Sequence, residues 1–411
     1  MNSFPSPLKR LGPGLLYAGA AIGVSHLVQS TRAGASFGLG MLVVVILANA
    51  LKYPFFQYGP RYVAATGNSL LEGYRKLGKW ALWLFLLLTV GTMFIIQGAI
   101  TMVTAGLAKY ITNVDISIWV WMMLITLSSM AILAFGKFQL LNKFMKIVMI
   151  VLAVTTIAAA IFSAFSFIPK LAVSDPFSFS NKENLFFLIA FIGWMPAPID
   201  ISVWYSVWSK ESKTKTAESN LKTSMFDFSV GYWGTAILAV CFVILGSFML
   251  HNTGIELSSS AVVFSGQLIE AYANSLGSWS IPIISVAAFT TMLSTTISVM
   301  DGITRVLVPT VKNLNEQPSN WNSYQFWLAT LGVGTLIIVW QFGANMKSLV
   351  DFATSLSFLT APILAYLNIK VMASADVSPE FQPNKITKTI SYLGLILLVI
   401  FSLVYLGLRF L

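Results

Sequence analysis

The stretch AAIGVSHLVQSTR, at positions 20–32, places a glycine, several hydroxyls, a histidine and an arginine inside an otherwise apolar segment. The imidazole of His26 titrates near neutral pH, and the guanidinium of Arg32 stays charged. Ionisable residues at membrane depth are costly, so they mark functional sites. The stretch predicts ion binding or proton transfer; the structural alternatives are a hydrogen-bonded histidine in a polar kink and an arginine facing an outer vestibule.

A second stretch, AFIGWMPAPIDISVW at positions 190–204, carries Met195, two prolines and Asp200. Proline removes an amide donor and clashes with the preceding helical turn. Helix-breaking sequence inside a bilayer is tolerated where it is buried in protein or lines a cavity. Both stretches therefore predict a helix broken at mid-depth, with a binding site between the two breaks.

Composition sets the context for these breaks. The chain has 411 residues, of which 56% are apolar and 10% charged, and its mean hydropathy is +0.78. These values predict one integral membrane domain over residues 1–411. We expect no signal peptide at the proline-rich N-terminus. The single cysteine, Cys241, excludes an intrachain disulfide and most thiolate metal sites.

The apolar runs predict eleven membrane-spanning helices. Of the 25 Lys and Arg residues, 18 fall on one set of alternate loops and 5 on the other. The positive-inside rule then places the N-terminus in the cytoplasm and the C-terminus outside, and it explains the net charge of +10 without nucleic acid. The predicted spans are 12–36, 39–64, 80–108, 116–135, 141–167, 185–208, 226–250, 280–307, 323–342, 347–369 and 388–410.

The two breaks lie in spans 1 and 6, at equivalent places in two five-span halves. This pattern is typical of inverted-repeat transporters, whose site lies at the bilayer midplane. We expect an all-α fold with repeat one over 12–167, repeat two over 185–369 and an extra helix over 388–410. The alternative is an ordinary bundle with two kinked helices. The stretch 260–272 predicts a surface helix on the outer face.

Short motifs resemble the Nramp family of transporters: GPG at 12–14, AGASFG at 33–38, AATG at 64–67 and MPA at 195–197. The resemblance covers the whole chain in span count and orientation, and it is specific in spans 1, 2 and 6. It implies a LeuT-type fold of two inverted five-helix repeats plus an eleventh helix, working by alternating access.

The departures from the family concern its metal site. The family's Asp-Pro-Gly-Asn motif, whose Asp and Asn bind a divalent metal, is GVSH at 23–26 here. The family's methionine ligand is kept as Met195, but the histidine after the proline is Ala197. The polar residue of span 10 is replaced by Thr354, and span 3 has no acidic residue. The resemblance therefore implies the fold but not the metal chemistry.

Without the carboxylate, a hard divalent cation in this site lacks a counter-charge. The leading hypothesis is a secondary transporter of a small anion, plausibly bicarbonate, with symport of a proton or other cation. The alternatives are a divalent metal transporter (Mn, Fe or Mg) that uses His26, Met195 and backbone carbonyls, and a sensor or scaffold that does not transport. The predicted substrate-binding residues are Gly23, Ser25, His26, Gln29, Met195, Ala197 and Thr354, and the predicted coupling or charge-balancing residues are His26, Arg32, Lys52 and Asp200.

No catalytic motif is present, so we expect neither an enzyme nor a cofactor. The expected partners are a small inorganic ion and the lipid bilayer, without nucleic acid. We expect a monomer in the plasma (inner) membrane.

Overall fold

The computed structural model describes residues 12–136, 138–165, 177–213, 221–251, 253–315, 323–343 and 345–410. This part of the chain is helical throughout, and its only β-pairing is an isolated bridge between Ser260 and Asn345. The all-α prediction is therefore confirmed. The N-terminal segment before Gly12, for which the sequence predicts no signal peptide, lies outside the described residues.

Span 1 is a helix in two pieces. Helix α1 (Pro13–Ala21) ends before Ile22 and Gly23, and a π-helical turn (Val24–Ser30) then leads into α2 (Thr31–Phe37). Span 6 is broken in the same way, because α8 (Lys182–Gly193) and α9 (Asp200–Lys213) are separated by six residues without helix. Both predicted breaks are confirmed.

Eleven further α-helices lie in the described part of the chain. They are α3 (Met41–Thr66), α4 (Leu70–Leu77), α5 (Lys79–Thr112), α6 (Ile118–Ala134), α7 (Phe138–Phe165), α10 (Leu221–Met249), α11 (Ala261–Leu276), α12 (Ser280–Leu314), α13 (Tyr324–Phe342), α14 (Met346–Met372) and α15 (Lys385–Phe410).

Seven of the described helical runs are long and apolar enough to cross a membrane, and the first of them, Pro13–Thr66, contains spans 1 and 2. Two shorter apolar helices, Ile118–Ala134 and Ile150–Phe165, correspond to predicted spans 4 and 5. Span 6 is not among the seven long helical runs, because its break divides it into two helices that are each too short to cross a membrane. Each of the eleven predicted spans thus has a helical counterpart, and residues 166 and 167 of predicted span 5 lie outside the described residues.

The predicted surface helix is also present, as α11 (Ala261–Leu276). It packs against α5, α12 and α7. Its buried side includes Phe264, Leu268 and Tyr272, and the Tyr272 hydroxyl lies 2.7 Å from that of Thr156 on α7. The amphipathic pattern therefore corresponds to a helix that packs against the bundle along one face.

Glycines bring α10 close to both halves of span 1. A Cβ on Gly14 would lie 2.1 Å from the carbonyl oxygen of Asp227, and one on Gly34 would lie 2.1 Å from that of Val243. On α10, a Cβ at Gly246 would lie 2.3 Å from the carbonyl of Thr31. Small residues permit such backbone contact in membranes, where dispersion and close packing replace the hydrophobic effect between helices. Helix α10 is thus a rigid support on which both halves of the broken helix rest.

Candidate functional site

The break in span 1 is held by a hydroxyl from α12. The Oγ1 of Thr295 lies 2.9 Å from the carbonyl oxygens of both Gly19 and Ile22, and 3.1 Å from that of Thr291 in its own helix. These carbonyls belong to the end of α1, where the helix leaves acceptors without an intrahelical donor. Thr295 has one hydroxyl hydrogen, so it donates to one of these carbonyls at a time, and its side chain occupies the position beside them that a bound cation would need.

Gly23 lies directly against this hydroxyl. A Cβ at Gly23 would be 2.6 Å from Cγ2 and 2.9 Å from Oγ1 of Thr295. Such distances are too short for any real Cβ contact without a shift of the neighbour. The space beside Gly23 is thus already filled by the threonine.

Ser25 and His26 begin the second half of span 1. The hydroxyl of Ser25 lies 2.6 Å from the carbonyl oxygen of Ala21 and 2.7 Å from Nδ1 of His26. The Nε2 of His26 lies 2.9 Å from the carbonyl oxygen of Thr235 on α10. Because a carbonyl only accepts, Nε2 must carry a hydrogen.

The protonation state of His26 is therefore linked to the break itself. The serine has one hydroxyl hydrogen. If it donates that hydrogen to Ala21, Nδ1 of His26 must donate to the serine, and the ring is a cation. If the ring is neutral, Ser25 donates to His26 and releases Ala21. One proton on the imidazole thus decides whether the serine spans the break.

The break in span 6 is held by an ammonium group. The Nζ of Lys52, on α3, lies 2.9 Å from the carbonyl oxygen of Ile192, 3.0 Å from that of Gly193, and 3.1 Å from those of Met195 and Ala197. The lysine is 1% exposed. A cation at the C-terminal end of α8 is favoured by the helix dipole.

Asp200 completes this arrangement from the other half of span 6. It lies in the first turn of α9 and is buried. A carboxylate is favoured at a helix N-terminus, and the charges of Asp200 and Lys52 act on each other. Both dipole ends at this break are thus compensated by the protein's own side chains.

A cavity of about 20 Å³ lies between the two breaks. This is room for roughly one water molecule. Ser25 and Thr295 are the hydroxyl-bearing residues of its lining, and none of the lining residues has an ionisable side chain. The lining residues are Ala20, Ala21, Val24, Ser25, Ile96, Ile100, Trp194, Pro198, Ile201, Trp204, Thr295 and Val299.

A polar layer covers one side of the site. Arg32 donates to Asp351 of α14 through both terminal nitrogens, at 2.6 and 3.0 Å, and to the Oε1 of Gln29 at 3.0 Å. Gln29 in turn lies 3.2 Å from Asp351 and 3.4 Å from the hydroxyl of Thr354. The guanidinium also stacks over Phe187 of α8 at 5.2 Å. These contacts join spans 1, 6 and 10, and beyond them a cavity of about 620 Å³ begins.

A second network closes the opposite end of the bundle. Asp301 of α12 accepts hydrogen bonds from Arg305 at 2.6 Å, from the Tyr324 hydroxyl at 2.8 Å and from the Trp208 indole at 3.3 Å. Arg305 also donates to Glu211 of α9 at 2.7 Å. The bundle therefore carries an ionic network toward each end.

The predicted site residues fall into separate groups. Ser25 lines the cavity, and Gly23 borders it through Thr295. Gln29, Arg32 and Thr354 lie in the polar layer. His26 instead contacts the backbone of α10. Lys52, Asp200 and the carbonyl of Ala197 belong to the break in span 6.

Met195 lies apart from the cavity. Its side chain is fully buried among apolar residues of spans 2 and 7, including Met41, Val45 and Val243. The sulfur belongs to a packed apolar cluster that also includes Ala239 of α10, one turn after the Thr235 carbonyl that His26 contacts. Within the described part of the chain, no three His, Cys, Asp or Glu side chains lie close enough to hold a metal ion.

The sequence did not single out Thr295 or Asp351 as site residues. Thr295 lies in the run TTMLSTT of α12, at positions 290–296. Several hydroxyls at helical spacing in a membrane span are a usable signal, because each must find an acceptor in hydrocarbon. The pairing of Asp351 with Arg32 had no sequence signal, since 319 residues separate the two.

The comparisons with known proteins agree with this architecture. Residues 14–407 match the sequence model of the family described as Nramp, natural resistance-associated macrophage protein-like. An uncharacterised protein of Pasteurella multocida is 34% identical over 413 aligned positions, which cover 99% of this chain and 94% of that protein.

Solved structures share the fold at low identity. A manganese transporter of Eremococcus coleocola, solved with an aromatic bis-isothiourea compound, superposes with a TM-score of 0.73 at 14% identity, covering 98% of this chain and 88% of that one. MhsT in complex with L-phenylalanine gives a TM-score of 0.66 at 18% identity, covering 98% of both chains.

Proposed function

The chain belongs to the Nramp family, and from this premise we propose that it is a secondary transporter working by alternating access around the cavity between its two broken helices. The observation that supports the proposal is the position of that cavity. It lies between the breaks in spans 1 and 6, and the bundle carries an ionic network toward each of its ends. A site that opens to one side at a time needs this arrangement.

We propose a small anion, bicarbonate or one of similar size, as the cargo. The carbonyl oxygens at the breaks already have donors of the protein within hydrogen-bond distance: the hydroxyl of Thr295 for those of Gly19 and Ile22, and the ammonium of Lys52 for four in span 6. The hydroxyls of Ser25 and Thr295 at the cavity can donate as well as accept. The first amides after a break have no intrahelical acceptor, and those of Val24 and Ser25 begin the second half of span 1.

A divalent metal ion is the second candidate cargo. Family membership and the manganese transporter among the structural relatives favour it. The lining of the cavity opposes it, because a dehydrated dication would meet no carboxylate there. In this case Met195 would have to turn from its apolar cluster toward the cavity during the transport cycle.

His26 is the proposed coupling group. Its protonation changes whether Ser25 bonds to Ala21 across the break, which gives one proton a direct effect on the shape of the site.

We further propose that the transporter lies in the plasma membrane as a monomer with a cytoplasmic N-terminus and an external C-terminus, and that its two five-span halves are inverted repeats.

A flux assay in proteoliposomes tests the cargo. We expect saturable uptake of labelled bicarbonate that responds to a pH gradient, and no saturable uptake of Mn²⁺. Met195→Leu removes the sulfur at similar volume, so it should leave bicarbonate uptake unchanged. Met102→Leu in the core of α5 is the matched control. Saturable Mn²⁺ uptake that Met195→Leu abolishes and Met102→Leu preserves would establish the metal candidate instead.

A further inference from the structure

Lys52 holds its carbonyl ligands in the way a protein site holds a monovalent cation. Four backbone oxygens lie 2.9–3.1 Å from Nζ, whereas an ammonium group has three hydrogens to donate. The ligands come from the end of α8 and from the unwound segment after it. Rings of carbonyl oxygens are the usual replacement for the hydration shell of a monovalent cation.

The environment of this site also suits a cation. The C-terminal end of α8 contributes negative partial charge, and Asp200 acts on Lys52 from the start of α9. The carbonyl oxygen of Ile192 also accepts from the amide of Met195. Without the ammonium, the carbonyl oxygens of Gly193, Met195 and Ala197 would lose the donor that Lys52 gives them in a buried segment, which is strongly unfavourable.

We propose that the break in span 6 is a monovalent-cation site that the protein fills with its own side chain, so that Lys52 takes the place of a bound cation. The ligand class of the site is a primary ammonium or an alkali cation. Lys52 is a positioning residue here: it ties α3 to α8 and fixes the unwound segment. The proposal concerns this site alone and stands whether the cargo is an anion or a metal.

Removal of the lysine should expose the site to outside cations. Lys52→Ala deletes three methylenes and the ammonium, which is the shape of propylammonium. We expect the Tm of the purified variant in detergent to fall by on the order of 5 °C or more. Propylammonium chloride should restore at least half of the loss in a saturable manner, because a ligand that binds only the folded state stabilises it by mass action.

The controls separate charge and shape from general effects. Butanol has a similar chain without the charge, and tetramethylammonium has the charge without hydrogen-bond donors; neither should restore the Tm. Thr295→Ala removes a different donor from break carbonyls, so propylammonium should leave its Tm unchanged. Equal recovery of both variants, or no recovery of Lys52→Ala by propylammonium, would overturn the proposal.

A measurement on the unaltered protein covers the case in which Lys52→Ala does not fold. Reductive methylation of the native protein should modify the half-exposed Lys76 and leave Lys52 unmodified, as read by peptide mass spectrometry. Methylation of both lysines at similar rates would mean that the ammonium leaves its carbonyls, and the proposal would fail. Absence of transport activity in the unaltered protein would contradict the proposed function without affecting either of these results.

Discussion

At the scale of single residues, Gly23 and Thr295 form one unit. The resemblance to metal transporters places Gly23 where the family has its metal-binding aspartate, but the threonine fills the space that a side chain there would need. The hydroxyl of Thr295 also lies within hydrogen-bond distance of the carbonyl oxygens of Gly19 and Ile22. A side chain at position 23 therefore requires a change at Thr295 as well.

The contact between Gly23 and Thr295 predicts which substitutions can place a carboxylate at position 23. Gly23→Asp alone should lower the free energy of unfolding by about 1–3 kcal/mol through overpacking. The double variant Gly23→Asp with Thr295→Ala should recover part of that loss and bind Mn²⁺ in a calorimetric titration. If the double variant is no more stable than Gly23→Asp, or binds no more Mn²⁺ than the parent protein, Gly23 does not border a cation site.

At the scale of elements, the first half of span 1 is anchored by Asp227 of α10. Its carboxylate accepts from the amide of Gly12 at 2.9 Å, the amide of Gly14 at 2.7 Å and the hydroxyl of Tyr205 at 2.8 Å. An anion at a helix N-terminus satisfies free amides and the dipole together. Helix α1 is short, so this cap sets its position relative to α10.

Replacement of this carboxylate should loosen α1. Asp227→Asn exchanges an acceptor oxygen for an amide group that donates, so we expect a loss of about 2 kcal/mol in unfolding measured in mixed detergent micelles. Asp115→Asn is the matched control, because Asp115 is fully exposed in its pair with Lys109 and surface pairs contribute little. Equal stability of the two variants would show that the cap does not hold α1.

At the scale of the whole molecule, the two ionic networks lie at opposite ends of the central cavity. Arg32 and Asp351 join spans 1 and 10 at one end. Arg305, Asp301 and Glu211 join spans 6 and 8 at the other. Alternating access requires one network to open while the other stays closed, so a change to either should shift the population of states.

The Arg32 end can be tested by accessibility. In a Cys241→Ser background, we place a reporter cysteine at Ala20 in the cavity lining. Asp351→Asn removes one charge from the bidentate pair, and we expect maleimide labelling of the reporter to rise about tenfold, equivalent to roughly 1.4 kcal/mol. Lys347→Gln, in the lining of the cavity of about 620 Å³ that Arg32 and Asp351 also border, should leave the rate unchanged. Equal rates in the two variants would mean that the pair does not seal the site.

The sequence by itself determined the architecture. Eleven apolar runs, two helix-breaking stretches and the motif resemblance led to an all-α membrane protein with broken helices in spans 1 and 6. The physical reason is that hydrocarbon leaves the backbone little choice: every polar group must be satisfied within a helix, and each departure from a helix shows in the local sequence. The inverted repeat of the two halves remains a prediction.

Only the tertiary structure decided which charges and ligands meet. Arg32 finds Asp351, Lys52 finds four carbonyls of span 6, and Thr295 fills the space beside Gly23, although each pair is far apart in sequence. The type of a side chain states what it can bond to, but not the direction in which it points once several helices pack. His26 shows this most clearly, because its imidazole contacts the backbone of α10 and is not among the residues that line the cavity.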